Sequence, residues 1–314
     1  MTSRLVAASS ASDRPEQRAQ SSADPETWTI RRVLTWASPH FEKKGVEAPR
    51  LTAEILLAHV LSCDRVRLYV DLDRPLDRSE LGAMRGLIER RVAGEPTQYL
   101  TGRQYFYGRA FKVDRRVLIP RPETELLAEA VLRSIPKDRP SRLLDLCTGS
   151  GCVAVTLAAE RPLASVWAVD VSPDACAMAR ENAEALGVAP RVTILDGDLF
   201  APLVKEALFD AIAANPPYIA SALVPGLSAE VRREPILALD GGEDGLAVIR
   251  RIVGAARDYL LPGAPLALEI AEDEGPRVRS LFQEAGFEEI AVEKDLAKHD
   301  RLVVGRAPGT SGEK

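Results

Sequence analysis

Apolar residues recur at helical spacing along the first third of the chain and gather into short blocks along the rest. The two rhythms predict different architectures. In TWTIRRVLTWASPHF the positions Ile30, Val33, Leu34 and Phe41 fall on one helical stripe. Leu51, Ile55, Leu56, His59 and Val60 do so in RLTAEILLAHVL, and Leu81, Met84, Leu87, Ile88 and Val92 do so in DRSELGAMRGLIERRV, where Ser79 or Asp77 suits an N-cap. Residues 26–95 are therefore predicted to form a small helical domain. Residues 96–119 change character: Tyr, Phe and Val dominate, with breaks at Gly102 and Gly108, which predicts a β-hairpin linker. A helix opens at about Glu123 in IPRPETELLAEAVL. Strand-like blocks then follow at 142–146, 165–170, 191–195, 209–214, 265–270, 288–294 and 301–306, mostly separated by helical segments. That alternation predicts an α/β domain over 120–307, a mostly parallel seven-stranded sheet covered on both faces. The last two blocks are separated by a few polar residues and should pair as an antiparallel hairpin at the sheet edge.

Composition sharpens this picture in three places. Apolar residues make up 46% of the chain, enough for a real core, yet no apolar run reaches the roughly 18–20 residues of a membrane span. Residues 1–25, rich in Ser, Ala, Asp and Gln, and residues 308–314 are expected to be a disordered leader and tail. Cys63, Cys147, Cys152 and Cys176 form no CxxC pair, and only His40, His59 and His299 could assist them. No metal site and no disulfide framework is expected, which suits a reducing, cytoplasmic setting. The net charge of −5 is unevenly spread. Residues 26–118 hold 17 Lys and Arg against 12 Asp and Glu, and residues 119–314 hold 21 against 31. The front is mildly basic, as an ordinary solvated helical surface or a surface meeting a partner on or near RNA would be; the back is acidic.

Candidate chemistry lies at the strand ends. In LLDLCTGSGCVAV a strand ends near Asp145, and Thr148, Gly149, Ser150 and Gly151 open a helix. Glycines there permit a tight turn and close approach to a ligand, and the helix start offers free N–H groups. Asp170, at the end of the next strand, can accept from both hydroxyls of a ribose or can cap the following helix, a task that Ser172 could take instead. In DGDLF, Asp198 could accept from an adenine amino group while Leu199 covers the ring. These features suit a nicotinamide dinucleotide or S-adenosylmethionine. Asp145 favours the latter, because a carboxylate beside the loop attracts a methionyl ammonium and repels a pyrophosphate. The block AIAANPPYIA then ends a buried strand in Asn215, Pro216, Pro217 and Tyr218. Two prolines cannot continue a sheet, so a stiff turn is expected. An amide or aromatic amine nitrogen is nearly non-basic, and methyl transfer to it needs positioning. The Asn215 side-chain oxygen and the Pro216 carbonyl can each accept one N–H, and Tyr218 can pack on a flat group.

LDLCTGSG, AVD, GDLF and NPPYI, in this order, resemble the class I S-adenosylmethionine-dependent methyltransferases, with their Rossmann-like sheet. GEPTQYLTGRQYFYGRAFKVDRRVLIPRPETELL, REPILALDGGEDGL and KDLAKHDRLVVGR narrow the resemblance to the HemK-type protein-(glutamine-N5) methyltransferases, over about residues 28–306, and within them to the branch acting on peptide chain release factors. The resemblance implies methylation of the glutamine in the GGQ motif of class-I release factors, with S-adenosylhomocysteine as the other product. It implies cofactor contacts from Cys147 to Gly151 and at Asp170, Leu199 and Asn215, and substrate contacts at Asn215, Pro216, Pro217 and Tyr218. Phe106, Arg121, Pro122 and Glu123 are expected near the mouth of the site. The chain departs from the family at Cys147, Ala271 and Lys298, where glycine is usual, at Glu274, where glutamine is, and at Leu199, where an aromatic is common.

Other readings stand beside this one. A glutamine methyltransferase for ribosomal protein L3 shares the CTGSGC-type loop. A nucleic-acid adenine-N6 methyltransferase shares the nitrogen chemistry, but the acidic back argues against direct DNA binding. A non-catalytic interaction protein and a nicotinamide oxidoreductase complete the set. A monomer is expected.

Overall fold

The computed structural model describes residues 27–204 and 208–309. The leader predicted over 1–25 and residues 310–314 of the predicted tail lie outside the described residues. Five helices come first: α1 (Ile30–Lys43), α2 (Pro49–Val60), α3 (Arg65–Val70), α4 (Arg78–Val92) and α5 (Thr97–Thr101). They close on a core that includes Leu34, Phe41, Leu56, Leu57, Leu68 and Met84. The Thr29 hydroxyl caps α1 by accepting from the Arg32 N–H. Asp77, not Ser79, caps α4, in a capping box with Glu80. The stripe predicted for α2 is turned. Leu51 and His59 face solvent, while Thr52, Ala53, Glu54 and Leu57 are buried. The buried Glu54 carboxylate is satisfied there by Arg50 at 2.6 Å and Arg65 at 2.8 Å, which lets a charged residue sit on the same inward face as Ala53, Leu56 and Leu57.

The hairpin is shorter than the linker segment assigned to it. Residues 97–101 are helical, and only β1 (Arg103–Phe106) and β2 (Arg109–Lys112) pair. A 3₁₀ turn at Pro122–Thr124 then leads into α6 (Glu125–Ser134), so the helix opens two residues after Glu123. The α/β half follows as β3 (Ser141–Leu146), α7 (Cys152–Glu160), β4 (Ala164–Asp170), α8 (Pro173–Ala185), β5 (Val192–Asp196), β6 (Ala211–Ala214), α9 (Ala247–Ala256), β7 (Pro265–Glu269), α10 (Gly275–Glu284), β8 (Glu288–Lys294) and β9 (Asp300–Arg306). The sheet order is β5-β4-β3-β6-β7-β9-β8, parallel except for β9, which runs antiparallel to both its neighbours. The last two strands form the expected hairpin, with β8 at the edge.

Both faces of the sheet are buried, which explains the near-continuous apolar runs. Leu143, Val166, Ala211 and Ala213 pack with α6 and α7 on one side, and Leu144, Ile212, Leu266 and Leu268 pack with α9 and α10 on the other. The parallel register aligns the strand ends. Leu146 is level with Val169 and with Ala214, and Ala214 is level with Leu268. The next residues, Asp170, Cys147, Asn215 and Glu269, therefore share one row across four adjacent strands, where parallel neighbours lie about 4.8 Å apart. The chain reverses its direction of travel along the sheet between β3 and β6, the topological switch point at which α/β sheets bind ligands.

Among the contacts that join the halves, two sets reach toward the site. Asn182 on α8, buried, accepts from the Lys112 N–H at 2.7 Å and donates to the carbonyls of Lys112 at 3.1 Å and Ser150 at 2.9 Å, tying β2 to the glycine loop. At the end of α4, Arg91 pairs with Glu230, Arg233 donates to the Ala93 carbonyl at 2.9 Å, and Gly94 packs on Ala229. Asn182→Ala leaves the backbone groups of Lys112 and the Ser150 carbonyl without this partner. It should lower unfolding free energy by about 2–3 kcal/mol in a denaturant titration.

Candidate active site

A cavity of about 480 Å³ opens along the row of strand ends, the size of an ordinary small-molecule site. The glycine loop forms one wall. Its turn is closed by the Gly151 N–H donating to the Thr148 carbonyl at 2.8 Å, and it is anchored by the Thr148 N–H donating to Val169. Cys147, Gly149 and Gly151 all have positive φ, at 57°, 56° and 80°. A Cβ on Gly151 would stand 3.1 Å from the Ala179 side chain, so this glycine is required twice over. Cys147 adopts the left-handed conformation that explains why glycine is common there, and Lys298, at φ 72°, repeats that substitution. At two further departures, Glu274 accepts from the Ala271 N–H at 3.2 Å, so a local backbone group meets the carboxylate.

The acidic residues are held by backbone and hydroxyl groups. Asp145 is 1% exposed, and its Oδ2 accepts from the Thr148 hydroxyl at 2.6 Å and the Ala154 N–H at 3.1 Å. Burial pushes its carboxyl up to about 7, against the pull of those two donors. No Lys or Arg among the described residues pairs with it. Asp170 accepts from the Gly149 N–H at 2.8 Å through one oxygen and the Ser172 N–H at 2.9 Å through the other, and each oxygen keeps a lone pair for the cavity. Burial raises its pKa as well. Capping of α8 falls to Ser172, whose hydroxyl accepts from the Ala175 N–H, which leaves Asp170 free of that task. Asp198, half exposed, is bridged to Arg251 at 2.6 Å, and Leu199 is buried beside it. Burial raises the thiols of Cys147 and Cys152, the latter to about 12, so neither supplies a thiolate at neutral pH.

The Asn-Pro-Pro-Tyr turn forms the facing wall. Asn215 donates through Nδ2 to the Thr124 hydroxyl at 3.1 Å, which leaves its side-chain oxygen as an acceptor. The Tyr218 hydroxyl donates to Glu269 at 3.4 Å. Of the residues expected at the site, Asp145, Cys147, Thr148, Gly149, Ser150, Asp170, Asp198, Leu199, Asn215, Pro217 and Arg121 line the cavity. Gly151, Pro216, Tyr218, Pro122 and Glu123 do not. Phe106, expected at the mouth, belongs elsewhere: it is 1% exposed and packs edge-on against Phe111, 6.0 Å between centroids, in the core under the hairpin. An aromatic strand residue beside a second aromatic gains more from that burial than from an open rim.

Thr124 and Glu269 were not among the expected site residues, nor was the strap of Pro235, Leu237 and Ala238 that lines the cavity. The strap is positioned by Glu234, which is 4% exposed, accepts from the Ile119 N–H at 3.0 Å and pairs with Arg121 at 2.5 Å. Thr124 and Glu234 sit inside the IPRPETE and REPILALD segments, so their signal was motif-level; Glu269 reads only as the polar end of an apolar strand.

Residues 32–102 match a family model described as PrmC N-terminal domain, and residues 123–227 match one described as methyltransferase small domain. A release factor glutamine methyltransferase of Geobacter sulfurreducens is 47% identical over 90% of this chain and 98% of its own length. One from Moorella thermoacetica is 46% identical over 87% of this chain and 96% of its own. Among solved structures, the human Mettl16 catalytic domain in complex with an RNA hairpin aligns at a TM-score of 0.55 with 14% identity, covering 72% of this chain and 83% of that one, which is a likeness of fold.

The Asp145 carboxyl ionises well above its ordinary range in the folded chain, so its charge opposes folding, a cost absent at low pH and growing as pH rises from about 4 to about 7. Asp145→Asn, which keeps the acceptor oxygen, should raise the melting temperature of the ligand-free protein more at pH 8 than at pH 5, as read by thermal denaturation at both values.

Proposed function

Since the chain belongs to the release factor glutamine methyltransferases, we propose that its cavity is where a release-factor glutamine meets the methyl donor, each held by the residues described above. The activity of the family is transfer of a methyl group from S-adenosylmethionine to a side-chain amide nitrogen of that glutamine, and the GGQ motif of class-I release factors is the segment this reading assigns to the site. S-adenosylmethionine, when bound, supplies a sulfonium-bound methyl for in-line transfer to nitrogen and leaves as S-adenosylhomocysteine.

The donor set suits that group. Asp145 is a buried carboxylate without a cationic partner among the described residues, placed to meet an ammonium. Asp170 offers two oxygens to a pair of hydroxyls. The loop from Cys147 to Gly151 lets the backbone come close, and Leu199 and Asp198 mark the adenine end. On the other wall, Asn215 Oδ1 and the Pro216 carbonyl each accept one N–H of the substrate amide. They fix the nitrogen in line and disperse the positive charge that develops on it. The amide needs no base before transfer; one N–H proton leaves afterwards. Tyr218, tied by its hydroxyl to Glu269, stiffens the turn from behind more than it faces the cavity. The observation that carries this reading is the free Asn215 oxygen in the same row as Asp170 and Cys147.

No helix among the described residues is long and apolar enough to cross a membrane, and a substrate in translation assigns the enzyme to the cytoplasm. Purified protein incubated with S-adenosylmethionine and unmodified release factor should add one methyl to the GGQ glutamine, read by peptide mass spectrometry. Asn215→Ala should lose about 10²–10³-fold in rate. A methyl found on ribosomal protein L3 instead would overturn the substrate assignment.

A further inference from the structure

The reading of Asn215 as the acceptor for the substrate amide raises a question the turn itself does not answer. An asparagine side chain has an oxygen end and an NH₂ end of nearly equal size, and only the oxygen end can receive an N–H. If the group rotated by half a turn, its NH₂ would face the substrate NH₂, donor against donor. Something must set its direction.

The register places Glu269 beside Asn215, on the neighbouring strand β7. Glu269 is 1% exposed and its Oε2 is buried with no hydrogen-bond partner. Its Oε1 accepts from the Tyr218 hydroxyl at 3.4 Å. The Thr124 hydroxyl, 2% exposed, favours the charged form of the same carboxyl, although no hydrogen bond between the two is closed in the structure. That hydroxyl also accepts from Asn215 Nδ2 at 3.1 Å. A threonine hydroxyl has one hydrogen and two lone pairs. An ionised carboxylate can only accept, so the unpartnered Oε2 would draw the Thr124 hydrogen. Thr124 is then left as an acceptor alone, and Asn215 must present its NH₂ to it.

Resting on the functional reading above, we propose that Glu269 is a positioning residue for the methyl transfer: an acceptor-only carboxylate behind the Asn-Pro-Pro-Tyr turn that fixes the direction of the Thr124 hydroxyl and thereby holds the Asn215 oxygen toward the substrate amide. A purely structural role would be met at least as well by an uncharged group, because burying a carboxylate is costly. The cost shows here: burial pushes the Glu269 carboxyl up to about 7, against Thr124, Arg301 on β9 and Tyr218, while Glu123 adds to the rise. Cys152, also within its field, is a neutral thiol. Once protonated, Glu269 can donate to Thr124, the Thr124 hydrogen is released toward Asn215, and the direction is no longer set. Activity at saturating S-adenosylmethionine should therefore fall as pH drops through about 7.

The test compares wild type, Glu269→Gln, Thr124→Val, Thr124→Ser and Asn215→Ala as full-length proteins, with unmodified release factor as substrate. The readouts are kcat and KM across pH and S-adenosylhomocysteine binding by calorimetry. Thr124→Val should lower kcat about tenfold, the worth of one positioned hydrogen bond, with KM and S-adenosylhomocysteine affinity little changed. Thr124→Ser, which keeps the hydroxyl, should restore most of it. Glu269→Gln should lower kcat and abolish the acid limb near pH 7. Because S-adenosylhomocysteine affinity is read separately, titration of Asp145 is not mistaken for this effect. Wild-type kcat and an unaltered pH profile in both Glu269→Gln and Thr124→Val, with Asn215→Ala inactive, would overturn the proposal. If Glu269→Gln fails to bind S-adenosylhomocysteine, the Thr124→Val and Thr124→Ser pair decides alone. If wild type adds no methyl to the glutamine, the functional reading has failed and this proposal falls with it.

Discussion

The parallel register of β4, β3, β6 and β7 is the constraint on which the site depends. Parallel pairing allows no local adjustment: slipping one strand by a residue would turn its whole apolar set from one face of the sheet to the other. Because both faces are packed, the register is held by the entire core, and the residue at or just past the end of each strand is delivered to a defined place. Asp170, Cys147, Asn215 and Glu269 come from segments far apart in sequence and arrive side by side for this reason alone. The loops beyond them add detail to a row already laid down by Val, Leu and Ala.

Three buried or nearly buried carboxyls crowd this region, Asp145, Asp170 and Glu269, and burial raises the pKa of each. A chain optimised only for stability would not keep them. Each opposes folding in its charged form, and each acquires a use only when a ligand or a substrate-holding group is considered. The arrangement is a local concession of stability at the place where function needs charge in a dry setting. Asn182, the Glu234 pairing and the capping box of α4 supply compensating order elsewhere.

Much of this was legible in the amino-acid order. The strand blocks were visible because fully buried parallel strands are apolar on both faces and bounded by polar residues, and the glycine loop and the Asn-Pro-Pro-Tyr turn are conspicuous interruptions of such blocks. What escaped was set by partners distant in sequence. Thr52 and Glu54 are polar yet buried, because Arg50 and Arg65 satisfy Glu54, so an apolar count misjudged the inward face of α2. Helices α3 and α5 are too short to show a period. Phe106 resembled a rim residue by position in its motif, and only the edge-on packing with Phe111 places it in the core. Glu269 looked like an unremarkable strand end, because nothing local announces that Thr124 and Tyr218 will converge on it.

The junction between α4 and residues 228–234 bears on how such a protein could be taken apart. The end of the helical domain is received by the linker that follows it, through Glu95 with Arg115, and also by a segment near the cavity strap, through Arg91 with Glu230 and Arg233 with the Ala93 carbonyl. The same segment continues directly into Pro235, Leu237 and Ala238 at the cavity wall. The boundary seen along the chain is thus not the boundary in space. A chimera spliced at the linker would part α4 from its socket and leave the cavity wall resting on a foreign surface, so the two halves are interchangeable only when socket and helix travel together.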